Sequence, residues 1–153
     1  MSDAKRWIGA AELLQDAWRL ARCVIDSGYA PTLLIGLWRG GAPIAVAVHE
    51  ALAWRGQRCE HLPLRTTLYS GIDERAPGVR IHGLAALRAL DCLRTAELRV
   101  ATVWWKPTRN RSTLTPDYWI HQTADWLVFP HELCGLEPDE VRAHRPEASV
   151  LLD

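Results

Sequence analysis

Neither sign of charge prevails in this chain: 18 acidic residues balance 18 basic ones over 153 residues. That balance excludes a global field drawing the protein onto nucleic acid or an anionic membrane, so any anion site has to be local. No apolar run approaches the roughly 20 residues that a membrane-spanning helix needs. The opening stretch, MSDAKRWIGAAELL, lacks the apolar core of a secretory signal. Both absences point to the cytoplasm. The four cysteines, Cys23, Cys59, Cys92 and Cys134, stand far apart with no C-x-x-C, which fits neither a zinc site nor a disulfide scaffold. They read as free, mostly buried thiols, since Cys behaves as a small hydrophobe. The glycine signatures of nucleotide enzymes are missing too: no glycine loop ends in Gly-Lys-Ser/Thr, and no three spaced glycines follow a strand. Internal repeats and low-complexity segments are also missing. What remains is an ordinary globular composition, 48% hydrophobic and 24% charged, at the length of a single domain, 1–153.

The stretch Pro31 to Gly56, PTLLIGLWRGGAPIAVAVHEALAWRG, organises the rest. Thr32 to Leu37 reads as a short strand covered on both faces. Trp38-Arg39-Gly40-Gly41 is a tight glycine turn, and a helix opens at Ala42-Pro43, where a proline's missing N–H costs nothing. Gly56 suits the position just past the helix end, where φ is positive. A strand feeding such a turn aims free backbone N–H groups at one spot. With Arg39 beside it, that spot suits phosphate or pyrophosphate. The plain alternative is a turn that carries glycines only because it is tight.

Before it, Ala10 to Ser27 reads as a helix. Leu13, Leu14, Ala17, Trp18, Ala21, Val24 and Ile25 form its apolar face, and Glu12, Gln15, Asp16, Arg19 and Arg22 its solvated side. Gly9 with Glu12 caps its start and Gly28 ends it. After the organising stretch, Arg58 to Arg65 reads as a strand weakened by Pro63. Thr66 to Gly83 reads as an irregular loop in which Gly78 to Ile81 pairs briefly, and a loop of that length in a compact domain usually serves a function. Leu84 to Leu93 has the period of a helix, and Leu98 to Trp105, LRVATVWW, that of a strand rich in β-branched and aromatic residues. Short strands are expected at Asp117 to Ile120 and Trp126 to Phe129, and a last helix near Glu137-Pro138. Most of the eight tryptophans should be core. His49 reads as structural.

Alternating strands and helices indicate an α/β fold with a mainly parallel sheet flanked by helices. Ligands in such sheets bind beyond the carboxyl ends of strands. Arg39-Gly40-Gly41, the long loop and Lys106 all lie at such ends.

LLIGLWRGGAPIAVAVHEAL, TTLYSGIDERAPGVRIHGL, VATVWWKP and PDYWIHQTADWLVFPHEL come in the order found in the type I phosphoribosyltransferases. The chain resembles the bacterial purine enzymes of that family, of the xanthine-guanine and hypoxanthine kind. The resemblance implies transfer of a 5-phosphoribosyl group from phosphoribosyl pyrophosphate to a 6-oxopurine, in nucleotide salvage. It gives Trp38, Arg39, Gly40 and Gly41 the pyrophosphate, through a turn that often holds a cis peptide. Lys106 would bind the exocyclic oxygen, Trp126 would stack on the base, and the main chain of Leu127 would meet the base edge. Tyr69, Ser70 and Gly71 would belong to a flexible loop, 66–83, that closes over the site, with 107–135 as a hood for the base. Glu132 would lie near a magnesium ion, and the protein would be a homo-oligomer, a dimer or tetramer. The resemblance assigns no catalytic residue.

One departure is plain. The family's diagnostic strand ends in two acidic residues and is followed by Asp-Thr-Gly and a small hydroxyl residue. Here Ile81-His82-Gly83-Leu84 runs directly into Ala85-Ala86-Leu87-Arg88, and that strand and loop are absent. The expected sheet therefore lacks a central strand. Two functions follow: a transferase with impaired chemistry, or an inactive module of the same fold that binds a nucleobase or nucleotide.

Overall fold

A computed structural model describes residues 5–69, 75–81, 96–110 and 113–152, with the backbone alone over 67–69 and 75–81. In chain order the elements are β1 (Lys5–Trp7), α1 (Ala10–Asp26), β2 (Leu33–Trp38), α2 (Gly41–Trp54), β3 (Glu60–Tyr69) and β4 (Arg75–Ile81). There follow β5 (Ala101–Trp105), a 3-10 turn (Pro107–Arg109), β6 (Tyr118–Gln122), β7 (Trp126–Val128), α3 (Pro138–His144) and a closing 3-10 turn (Pro146–Leu151). The chain divides into two compact units, Leu14–Ala124 and Met1–Leu13 with Asp125–Asp153.

In the larger unit β2 runs parallel to β3, from Leu33 opposite Glu60 to Trp38 opposite Arg65. Pro63 is accommodated opposite Gly36. α2 lies against β2 so closely that a Cβ on Gly36 would stand 2.7 Å from the Ala45 Cβ. Glycine is needed there for the approach and not for a turn. α2 stops where expected: Gly56 has φ +83, its N–H donates to Ala53 O at 2.9 Å, and Gln57 N–H donates to Leu52 O at 2.9 Å. This paired closure satisfies two of the carbonyls that a helix end leaves open. Separately, β5 runs parallel to β6, with Trp104 opposite His121 and Trp105 opposite Gln122. Ala17, Leu20, Ala21 and Val24 of α1 are buried, as are Ala47, Val48 and Leu52 of α2.

Among the described residues, β2 has one ladder partner, β3, and β5 has one, β6; no pairing joins the two sheets. The fold is α/β, its parallel strands accompanied by helices, and its incomplete sheet matches the absence of a central strand.

The smaller unit pairs β1 with β7 in parallel, Lys5 opposite Trp126 and Trp7 opposite Val128. α3 begins with a reciprocal cap between Glu137 and Glu140, which satisfies donors that the first turn cannot.

Several expectations need correction. Leu33, Leu34 and Ile35 are only half-covered, and Leu37 and Trp38 at the end of β2 are exposed. α2 packs at Gly36, and among the described residues nothing comparable covers the strand's last residues. Thr66 to Gly83 is not irregular throughout: β3 continues to Tyr69 and pairs antiparallel with β4, Thr66 opposite Ile81, with a register shift between Thr67 and Tyr69. β-branched Thr66 and Thr67 favour the extended chain that the ladder then fixes. The helix expected at Leu84 to Leu93, and Cys92 within it, lie outside the described residues.

Leu14 and Trp18 face outward, and so do Trp38, Trp54, Trp119 and Trp126; only Trp104 is buried. Trp38, Trp54 and Trp126 sit at the ends of their elements. Cys23 and Cys134 are exposed, and Cys59 is half-buried. Asp16, placed by its polarity on the solvated side of α1, is 1% exposed.

Candidate functional site

The turn after β2 is built by its glycines. Gly40 is the N-cap of α2, in right-handed helical conformation and with no side-chain cap. Ala42 N–H donates to Arg39 O at 3.2 Å. A Cβ on Gly41 would meet the Leu37 Cβ in ordinary contact at 3.4 Å, whereas the space around Gly40 is open. The Trp38–Arg39 peptide is cis. Trp38 and Arg39 are exposed. The turn thus presents backbone at a helix N-terminus, beside a guanidinium, with no Cβ in the way at Gly40. That combination favours an anion.

Lys106 follows β5 directly and is half-buried. Its backbone is held on both sides. Thr123 N–H donates to Trp105 O at 3.1 Å, and Arg109 N–H closes onto Lys106 O at 3.1 Å. The residue is thus fixed at the carboxyl end of a strand, where a pure donor would choose an oxo group over an amino group. The turn after β2 and Lys106 belong to the same unit.

Trp126, Leu127 and Glu132 belong to the other unit. Trp126 opens β7 with nearly half of its surface exposed, and Leu127 is buried opposite Arg6 of β1. Glu132 folds back on its own turn: its Oε2 accepts Phe129 N–H at 3.0 Å, and its N–H donates to Phe129 O at 3.0 Å. One carboxylate oxygen is thereby committed. Of the loop residues, Tyr69 ends β3 and lies opposite Arg75. Ser70 and Gly71 lie outside the described residues.

Two groups escaped the sequence reading. Asp16 Oδ2 accepts from His121 Nε2 at 2.7 Å and Asp16 Oδ1 from Arg19 Nη1 at 3.1 Å. The His121 ring stacks on Trp104 with centroids 4.2 Å apart. The signal was present in the spacing: Asp16 stands three residues after Leu13 and four before Leu20, on the apolar stripe. Arg145 is the second, a buried cation among backbone carbonyls, and nothing in its flanking sequence announces it. At the start of β5, Asp117 accepts Val100 N–H at 2.7 Å and Arg99 Nη1 at 3.2 Å. The backbone donor first, and the guanidinium with it, hold that carboxyl below the usual range. His49 Nε2 lies 3.1 Å from Cys59 O.

No family model matches the chain, and no curated protein matches its sequence. Solved structures do. A purine phosphoribosyltransferase from Pyrococcus horikoshii shares 21% identity at TM-score 0.61, covering 87% of this chain and 97% of that one. A protein from Neisseria gonorrhoeae with bound ppGpp shares 13% at TM-score 0.66, covering 97% and 99%. A xanthine-guanine-hypoxanthine phosphoribosyltransferase from Helicobacter pylori shares 16% at TM-score 0.63, covering 92% and 100%. At such identities the likeness is one of fold, and the chain has the α/β fold of the purine phosphoribosyltransferases, type I-like, with an incomplete sheet.

Proposed function

We propose that this chain is a purine phosphoribosyltransferase-like protein that binds a pyrophosphate group at Trp38–Gly41 and a 6-oxopurine at Lys106, with impaired phosphoribosyl transfer. The observation that carries the reading is the turn between β2 and α2, whose backbone is open at Gly40, in a fold that the purine enzymes share. In the full reaction a purine ring nitrogen bonds to C1 of the sugar as the C1–oxygen bond to pyrophosphate breaks. Arg39 and the N–H groups of the turn would stabilise the charge growing on the leaving group. Lys106 would orient the base by donating to its oxygen.

Magnesium, implied by the resemblance, would enter with the substrate. It is commonly held by one or two carboxylates and the substrate phosphates, and Glu132 keeps one oxygen beyond the one its own turn uses. Among the described residues no group of three His, Cys, Asp or Glu side chains forms a metal cage, so the phosphates would supply most of the ligands. No step is assigned to it.

A second reading has its own support. The Neisseria gonorrhoeae protein of this fold was solved with ppGpp, a guanine nucleotide that carries pyrophosphate groups. A regulatory module would need the base contact and the anion turn but not the missing acidic strand. Calorimetry with hypoxanthine, guanine, xanthine, phosphoribosyl pyrophosphate and ppGpp tests both readings. Binding of purine and of phosphoribosyl pyrophosphate supports the first. Binding of ppGpp with no affinity for phosphoribosyl pyrophosphate supports the second. Binding of none of the five removes both.

A further inference from the structure

We infer that the Asp16–His121 pair, with its carboxylate buried, is a positioning device for Lys106, acting through the β6–β5 ladder; the inference rests on the assignment of Lys106 to the purine oxygen. The Asp16 side chain is 2% exposed and that of His121 31%. Burying a carboxylate is unfavourable unless donors replace its water, and an apolar residue of similar size would serve packing on α1 as well. Both oxygens have donors, but the two donors differ. Arg19 is 56% exposed, and water can substitute for it. The bond to His121 crosses from α1 to β6, at 2.7 Å. A carboxylate only accepts, so the imidazole carries its proton on Nε2 toward Asp16.

The consequence lies along the strand. His121 is the register partner of Trp104 and stacks on its ring. One step on, Gln122 is opposite Trp105, and Thr123 N–H grips Trp105 O at 3.1 Å. The next residue is Lys106. A lysine side chain is long and flexible, so its reach is defined mainly by where its Cα is held. Asp16 fixes His121, His121 fixes β6 against β5, and β6 fixes the strand end that carries Lys106.

The test is a double-mutant cycle on hypoxanthine affinity, read by calorimetry. Two variants break the pair: Asp16→Asn, and His121→Phe, which keeps a ring against Trp104 and removes the donor. His121→Gln restores an N–H donor and is the rescue. Each is made with Lys106 present and with Lys106→Met. The expected loss is about tenfold in affinity for either pair-breaking variant when Lys106 is present, falling to no change when Lys106 is Met. His121→Gln recovers most of the loss. An equal loss in both backgrounds would mean a general structural role and overturns the inference, as does unchanged affinity. If Lys106→Met alone leaves hypoxanthine binding intact, the base assignment has failed and the inference falls with it. Hydrogen exchange at the Thr123 and Arg109 amides then reports which step failed. Faster exchange in folded His121→Phe means that the pair anchors the strand end but Lys106 does not bind base, and unchanged exchange means that the pair anchors nothing. Should Asp16→Asn not fold, the His121 variants decide the outcome alone.

Discussion

Arg145 donates from Nη2 to the carbonyl oxygen of Val128 at 3.0 Å. The same nitrogen reaches Ile8 O, also at 3.0 Å, and Nη1 donates to His144 O at 2.8 Å. One buried guanidinium therefore ties the ends of β1 and β7 to the helix that precedes it, with its face over Trp7. Val128 O also accepts Ile8 N–H at 3.0 Å, so the guanidinium is its second donor, and a fork of N–H donors can serve more than one carbonyl at once. We predict that Arg145→Met lowers stability by roughly 1–3 kcal/mol, because three backbone carbonyls each lose a bond from a charged donor. Arg145→Lys should recover only a minor part, since an ammonium lacks the fork. Urea unfolding measures both, and a stability within error of the parent for Arg145→Met would remove the clamp.

Gly36 makes a sharper prediction. Its added Cβ would stand 2.7 Å from that of Ala45, inside van der Waals contact. Gly36→Ala should cost roughly 1–3 kcal/mol, as over-packing does. Ala45→Gly should restore most of that loss in the double variant while being destabilising by itself, because glycine weakens a helix. Additive losses in the double variant would show that the two positions do not meet.

Acid should loosen the molecule through two exposed carboxylates. Asp117 is held below its ordinary range by Val100 N–H and Arg99, and Glu140 by Lys5 and the Glu137 N–H. A carboxyl depressed in the folded state stabilises it above the unfolded value and loses that contribution as pH falls through the folded value. The window therefore opens below about pH 4. Melting temperature against pH should fall there, and Asp117→Asn should flatten part of the fall. A profile identical to the parent's would show that the Val100 cap contributes nothing.

The α/β class, the end of α2 and the glycine turn were legible because they depend on local rules: apolar period, a positive φ at Gly56, a proline in a first helical turn. Asp16 was misread for a physical reason. Composition along a helix separates charged from apolar, but a charge with two donors can sit on the apolar stripe, and His121 lies 105 positions away. Of the hairpin from Thr66, the pairing at Gly78 to Ile81 was legible, while the continuation of β3 to Tyr69 and the start of β4 at Arg75 were not, since a glycine- and charge-rich segment carries no apolar alternation. The surface tryptophans show the limit of residue type: Trp54 at the end of α2 is 83% exposed, although the large apolar area of its ring favours burial.

Binding of base should depend on Lys106. Lys106→Met is predicted to weaken hypoxanthine binding by about 1–3 kcal/mol, the range for a lost charged hydrogen bond. It should weaken adenine binding much less, since an exocyclic amino group gains nothing from an ammonium. Calorimetry of the two bases against parent and variant gives the comparison. Equal losses would indicate that Lys106 acts as a general charge and not as an oxo reader.

Transfer itself should be slow or absent. The sugar's 5′-phosphate and hydroxyls need backbone donors and acidic residues, and between Ile81 and Ala85 the sequence supplies neither the acidic pair nor the Asp-Thr-Gly loop. Arg39 and the turn at Gly40 would hold one end of the sugar pyrophosphate. Holding one end leaves C1 free to swing, and a misplacement of about 1 Å already costs on the order of 10²-fold in rate. Base and pyrophosphate would then bind without reacting. A steady-state assay with hypoxanthine, phosphoribosyl pyrophosphate and magnesium measures this directly. Turnover near the ~10 s⁻¹ common among enzymes, lost on Arg39→Gln, would contradict the prediction and require another segment to hold the 5′-phosphate. Turnover that survives Arg39→Gln would point to a contaminating enzyme. Binding of pyrophosphate that is lost in Arg39→Gln, with no turnover in either protein, is the expected result.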